Sequence, residues 1–185
     1  MSSSSSIMRK LKLVIIMLIC VIIIFKLVGD NYYTMDRLSY SLASKDYRSI
    51  NKILNKHPEY LFRYLNKDYE SALSYATRKR DIKAIQILLA HGADPNYKGK
   101  FTENNAIDNA VRNNDVAIFD MLIKHHANLS LSGKINSSSP LILAIKCHAS
   151  NIIDYILTNR LVDINISYPD GGNVLETATI YDNII

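Results

Sequence analysis

The sequence predicts an all-α fold, a solenoid of stacked helix-turn-helix units behind one N-terminal transmembrane helix. Two observations predict it. A segment returns five times along the 185 residues, its register marked by Leu38, Leu73, Ile107, Leu141 and Leu175 at spacings of 35, 34, 34 and 34. A fixed period in this range marks a stacked array of helical units, not one globular core. Ahead of the array lies an uncharged run from Leu13 to Phe25.

That run is short for a hydrocarbon core of roughly 30 Å. Lys12 and Lys26 can snorkel, however, so residues 11–28 supply a just-sufficient span. The alternative, a cleaved signal, is poorly supported, because cleavage after Gly29 would set Leu27 where a small residue is wanted. A lipoprotein Cys20 would likewise want a small residue before it, and Ile19 stands there. The expected organisation is a cytoplasmic tail at 1–10, a signal-anchor at 11–28, a linker at 29–35 and the repeats at 36–185. Arg9, Lys10 and Lys12 precede the run, whereas Lys26 and Arg37 downstream are mixed with Asp30 and Asp36. The positive-inside rule then keeps the N-terminus in the cytoplasm and puts the repeats on the other side. In a bacterium this is a single-pass inner-membrane protein with a periplasmic domain.

The formal charge of +5 is partly local to the N-terminus. Residues 1–30 hold four cations and one anion, leaving 18 cations and 16 anions beyond. A nucleic-acid partner is therefore not expected, despite a pI of about 9.1. Cys20 lies in the apolar run and Cys147 is alone in the repeats, so no disulfide forms within the folded domain.

The second unit is the clearest. It opens Ser71-Ala72-Leu73-Ser74-Tyr75-Ala76-Thr77, passes Asp81, continues through Ile85 and Leu88-Leu89, and closes Gly92-Ala93-Asp94-Pro95-Asn96. Leu73 and Ala76 suit a short first helix in close approach to its neighbour. Ile85, Leu88 and Leu89 form the buried stripe of a second helix. Gly92 ends that helix where a positive φ is cheap, and Asp94-Pro95-Asn96 starts a hairpin finger. This pattern resembles the ankyrin repeat, most specifically in Gly-Ala-Asp-Pro-Asn. The third unit carries Asn105-Ala106-Ile107, Ala110, Asp115, Leu122-Ile123 and His126-Ala127-Asn128; the fourth carries Ser139-Pro140-Leu141, Ala144 and Ile156-Leu157. In the first, His57-Pro58-Glu59 replaces Gly-Ala-Asp, and an aromatic segment Tyr60-Leu61-Phe62-Arg63-Tyr64 follows that no ankyrin finger requires. The units fall near 36–70, 71–104, 105–138 and 139–172, with a partial one at 173–185.

No residues point to catalysis, a cofactor or a metal. His125-His126 beside Asp120 are adjacent histidines that project in different directions. Cys147-His148 has no orienting partner, and Asp170-Gly171-Gly172 follows no strand and precedes no phosphate-loop lysine. The resemblance implies instead a protein-binding surface on the finger tips and on the two residues after the paired small residues of each first helix. Those positions are Arg78-Lys79, Arg112-Asn113 and Lys146-Cys147, with Arg80 alongside, and the fingers add Lys98, Lys100 and Lys134. Such a concave basic face favours a protein partner that is acidic where it touches; the bland alternative is a merely solvated basic surface.

The expected function is non-catalytic protein binding at a membrane. Small bacterial ankyrin proteins of this build resemble immunity proteins that sequester a secreted toxic effector. A membrane scaffold for endogenous partners and a host-directed ankyrin effector remain as alternatives. The fifth unit supplies only about one helix before Ile185, so Ile153, Ile156 and Leu157 of the fourth unit are expected to lie half-covered.

Overall fold

In a computed structural model, the described residues are 15–22, 37–63, 65, 70–97, 105–129, 139–165 and 173–181. All regular elements among them are helical. After a helical stretch at 15–22 come α1 (37–43) and α2 (Tyr47–Lys56), followed by a 3-10 helix (Pro58–Phe62). Then follow α3 (Ala72–Arg78), α4 (Ile82–Ala90), α5 (Ala106–Arg112), α6 (Val116–Lys124), α7 (Pro140–Lys146), α8 (Ser150–Thr158) and α9 (Val174–Ile180). The odd-numbered helices stack as one layer, α3 on α5, α5 on α7 and α7 on α9. The even-numbered ones form the second layer, α2 beside α4 and α6 beside α8.

The period is written in the caps. Asp46, Asp81 and Asp115 begin the second helices, their carboxylates accepting the amides of Ser49 (3.1 Å), Ala84 (3.1 Å) and Ile118 (3.2 Å). Each satisfies one of the amides a helix start leaves without a partner. Ser71, Asn105, Ser139 and Asn173 do the same for α3, α5, α7 and α9. Before each second helix the chain makes one left-handed residue: Lys45 (φ +58), Arg80 (+55), Asn114 (+50) and His148 (+53). After it come Gly92 (φ +86), His126 (+66) and Arg160 (+49). Only the second unit uses glycine there, and a side chain at Gly92 would meet nothing within 4 Å. The glycine serves backbone conformation, not space.

Leu38, Leu73, Ile107 and Leu141 are all buried in one continuous core, as the period predicts. The fifth marker departs from it: Leu175 is 71% exposed, and Val174 and Ala178 are the buried residues of α9. In the complete units a second helix packs over the first, α4 on α3 and α8 on α7; no such helix follows α9 among the described residues. The expectation for the fourth unit is corrected as well. Ile152, Ile153 and Ile156 are buried because α7 and α6 already close over the inner face of α8, and only Leu157 is half-exposed.

The first unit is more complete than its sequence suggested. Its short 3-10 helix takes the place of a Gly-Ala-Asp ending and delivers Tyr60 and Leu61 into the core. The aromatic segment is thus partly a structural plug, with His57 stacked on Tyr60 at 4.9 Å. Of the expected anchor, only 15–22 lies within the described residues, and there no helix is long and apolar enough to cross a membrane. Ile15, Ile16, Met17, Leu18, Ile19, Val21 and Ile22 of that stretch are nevertheless exposed.

Candidate functional site at the ends of the first helices

Three short helices end identically. Arg78, Arg112 and Lys146 are the last residues of α3, α5 and α7, followed by the C-caps Lys79, Asn113 and Cys147 and then a left-handed residue. The amides of Asp81, Asp115 and Ala149 return to the carbonyls of Ala76 (3.0 Å), Ala110 (3.1 Å) and Ala144 (2.8 Å). The same chain reversal is therefore cut three times at one-unit intervals. It displays Arg78, Arg112 and Lys146 in a row, all exposed.

The side chains on this row differ in what they do. Arg78 grips Glu70 through Nε (3.0 Å) and Nη2 (2.8 Å). Glu70 is only 7% exposed and also accepts the Ser74 hydroxyl at 3.5 Å. Arg78 therefore neutralises a buried carboxylate while staying 44% exposed itself, since a nearly buried anion needs a partner. Arg80 behaves similarly toward Asp115 of the next unit, at 3.2 Å. Asn113 donates to the Thr77 carbonyl at 3.0 Å, as Asn109 donates to Ser74 Oγ at 2.8 Å; both staple α5 to α3. Lys79, Arg112 and Lys146 are exposed along the same row. Arg112 Nη1 lies 3.9 Å from Cys147 Sγ. Lys98, Lys100 and Lys134 lie outside the described residues.

Beside this row the ends of α1 and α3 enclose an open groove of about 260 Å³. It is lined by Leu42, Ala43, Ala76 and Ala84, with Lys45, Lys79, Tyr75 and Asp81. The Tyr75 ring is half-buried, with Arg78 at 5.2 Å and Lys79 at 5.9 Å from its centroid. At the groove Asp81 accepts the Tyr47 hydroxyl at 3.1 Å. Burial, and then that carboxylate, raise the Tyr47 phenol above its ordinary range. Lys45 and Lys79, the Tyr75 ring and the apolar lining can take an acidic side chain together with the apolar residue next to it, with the Asp81 carboxylate engaged by Tyr47. Sequence reasoning missed Glu70, Tyr75 and Lys45. The only signal for Lys45 was its place immediately before a capping aspartate, and nothing in the spacing announced Glu70.

His125 and His126 serve the end of α6. His125 Nδ1 is 2.9 Å from the Met121 carbonyl, and His126 is the left-handed residue. No group of three or more candidate ligands converges among the described residues.

A family model described as ankyrin repeats in three copies matches residues 38–132, just over half of the chain. This chain belongs to the ankyrin-repeat family. No curated protein matches its sequence. The matched region includes the first unit, where the sequence pattern was weakest, and stops before α7. The stacking of α7 and α8 carries the same ankyrin geometry further, with the same first-helix cap and the same left-handed residue at His148. Ankyrin repeats are protein–protein interaction modules, and that is the function class of this chain.

Proposed function

We propose that this ankyrin chain is a non-catalytic binding module tethered to a bacterial inner membrane through residues 11–28, with its repeats on the periplasmic side. It takes an acidic protein surface on the row Lys79, Arg112 and Lys146. One observation carries the reading. At the ends of three successive first helices the cations Lys79, Arg112 and Lys146 are exposed. The seven exposed large apolar side chains of 15–22 support the tether, since no described part of the chain covers them. The specific role proposed is that of an immunity protein holding a secreted toxic effector at the membrane.

The test is capture of partners from the native host by the full chain, compared with a Lys79→Glu, Arg112→Glu variant. Both substitutions are exposed and should leave unfolding unchanged. Loss of the captured partner supports the reading, and undiminished capture rejects the basic row. Deletion that harms cells only under attack by a neighbour supports immunity. Deletion that harms unchallenged cells assigns the chain to a scaffold for endogenous partners.

A further inference from the structure

Charge is distributed unevenly along the solenoid. Within 37–56 stand Arg37, Lys45, Arg48, Lys52 and Lys56 against Asp46, a net +4. The described parts of the later units carry +1 at 70–97, −1 at 105–129 and 0 at 139–165. Over whole units the net charges are +2 at 36–70, +3 at 71–104, 0 at 105–138 and −1 at 139–172, so the first two units are both basic; in the first the cations gather on one helix face. Arg48, Lys52 and Lys56 follow one another at intervals of four on α2, with Lys45 three residues before. All four are exposed, and Ile50, Ile53 and Leu54 occupy the opposite, buried face. No ion pair among the described residues engages these four cations. The single acid of the segment, Asp46, is engaged as the cap of α2.

The first unit is also the one nearest the apolar run. Eight residues, 29–36, separate position 28 from the start of α1. However they run, they cannot reach beyond roughly 30 Å. A bilayer holding 11–28 therefore keeps the first unit within about three to four Debye lengths of its headgroups at physiological salt. We infer that the stripe Lys45, Arg48, Lys52 and Lys56 docks on anionic lipid headgroups. It would lay the outer helix of the first unit on the bilayer and turn the less basic third and fourth units away. The inference rests on the tether proposed above. Each cation brought to an anionic surface strengthens the docked state by about fivefold, so four of them outweigh the freedom that a short tether leaves.

The test uses the full chain with Cys20→Ser and Cys147→Ser, carrying one fluorophore at Asn55→Cys or, separately, at Asn151→Cys. Vesicles are phosphatidylcholine alone or phosphatidylcholine mixed with phosphatidylglycerol, each with an acceptor dye on the headgroups. On mixed vesicles, energy transfer from position 55 should exceed that from position 151 at least about twofold. High salt, or the triple variant Arg48→Glu, Lys52→Glu, Lys56→Glu, should reduce the difference to that on phosphatidylcholine alone without releasing the protein. The same difference between the two positions on mixed vesicles as on phosphatidylcholine alone overturns the inference and leaves the tether standing. Failure to float with phosphatidylcholine vesicles rejects the tether, while salt-sensitive attachment to mixed vesicles alone keeps the docking surface. A photo-crosslinker at position 55 in native membranes should capture lipid. Capture of a polypeptide there would overturn the lipid assignment in favour of an acidic protein.

Discussion

The side-chain oxygen of Asn114 accepts the amide hydrogen of Ile152 at 3.2 Å, across a unit boundary. In the first three units an aspartate at the start of the second helix makes that bond within its own unit. In the fourth, Ala149 stands at the cap with no side-chain acceptor, and the left-handed Asn114 of the preceding unit supplies it. The fourth unit is thus completed by the third.

The first prediction follows from this bond. Asn114→Gly tolerates the φ of +50 but removes the acceptor, and should cost about 1 kcal/mol. Asn114→Ala should cost more, because alanine also resists the left-handed conformation. Ala149→Asp should restore a cap within the unit and, once present, make Asn114→Gly nearly neutral. Thermal unfolding of the four members of this cycle checks the coupling, and strictly additive effects would show that the cross-unit cap contributes nothing.

A second prediction concerns Thr77. Its hydroxyl is fully buried and, among the described residues, has no hydrogen-bond partner. One and two units on, the corresponding positions are the buried Val111 and Ile145. A buried hydroxyl without a partner costs about 1–3 kcal/mol. Thr77→Val keeps the shape and removes the cost, so it should raise stability by about 1 kcal/mol, read by urea midpoint with an unchanged slope. Thr77→Ser, which keeps the hydroxyl and loses a methyl, should lower it.

These two sites show what the sequence made legible and what it did not. The period of 34 was readable because each unit repeats the same turns and cap positions, and Leu73, Ile107 and Leu141 mark positions where the burial repeats too. The cap at Ala149 was not readable, because its replacement lies 35 residues upstream and acts through space. Tyr60 read as a superfluous aromatic because a 3-10 helix substituting for a finger has no spacing signature. Arg78 read as a surface cation for a related reason. Helix position predicts exposure, and Arg78 is indeed exposed, but its pairing depends on the chain path that brings Glu70 alongside.

That pairing gives the third prediction. Arg78→Ala leaves Glu70 nearly buried without its bidentate partner and should cost about 2 kcal/mol, below the range for fully buried pairs because Arg78 is 44% exposed. Arg78→Glu should cost more, since it sets two carboxylates together. Lys79→Glu, one residue on, should leave stability within about ±0.5 kcal/mol. Unfolding midpoints for the three variants check the order. Equal midpoints for Arg78→Ala and Lys79→Glu would reduce the Glu70 bridge to a surface contact.

The last prediction is a pH dependence at the junction of the third and fourth units. Tyr155 on α8 donates to Asp120 on α6 at 2.6 Å, and Lys124 approaches the other carboxylate oxygen at 2.7 Å. The Lys124 hydrogen bond first, and then that of Tyr155, hold the Asp120 carboxyl below its ordinary range. Asp120 in turn raises the Tyr155 phenol. A carboxyl depressed in the folded state adds stability that is fully present above its unfolded value and is lost as pH falls through its folded value. Tyr155→Phe removes one of the two causes and should destabilise at neutral pH by about 1 kcal/mol. The deficit should shrink as the solution is acidified below the ordinary aspartate range, because protonated Asp120 accepts the phenol less strongly. Urea unfolding of both proteins between neutral and strongly acidic pH measures it. A deficit that stays constant over that range would place the cost of Tyr155→Phe in packing against Phe119, whose ring meets Tyr155 edge-on at 5.9 Å, and not in the hydrogen bond.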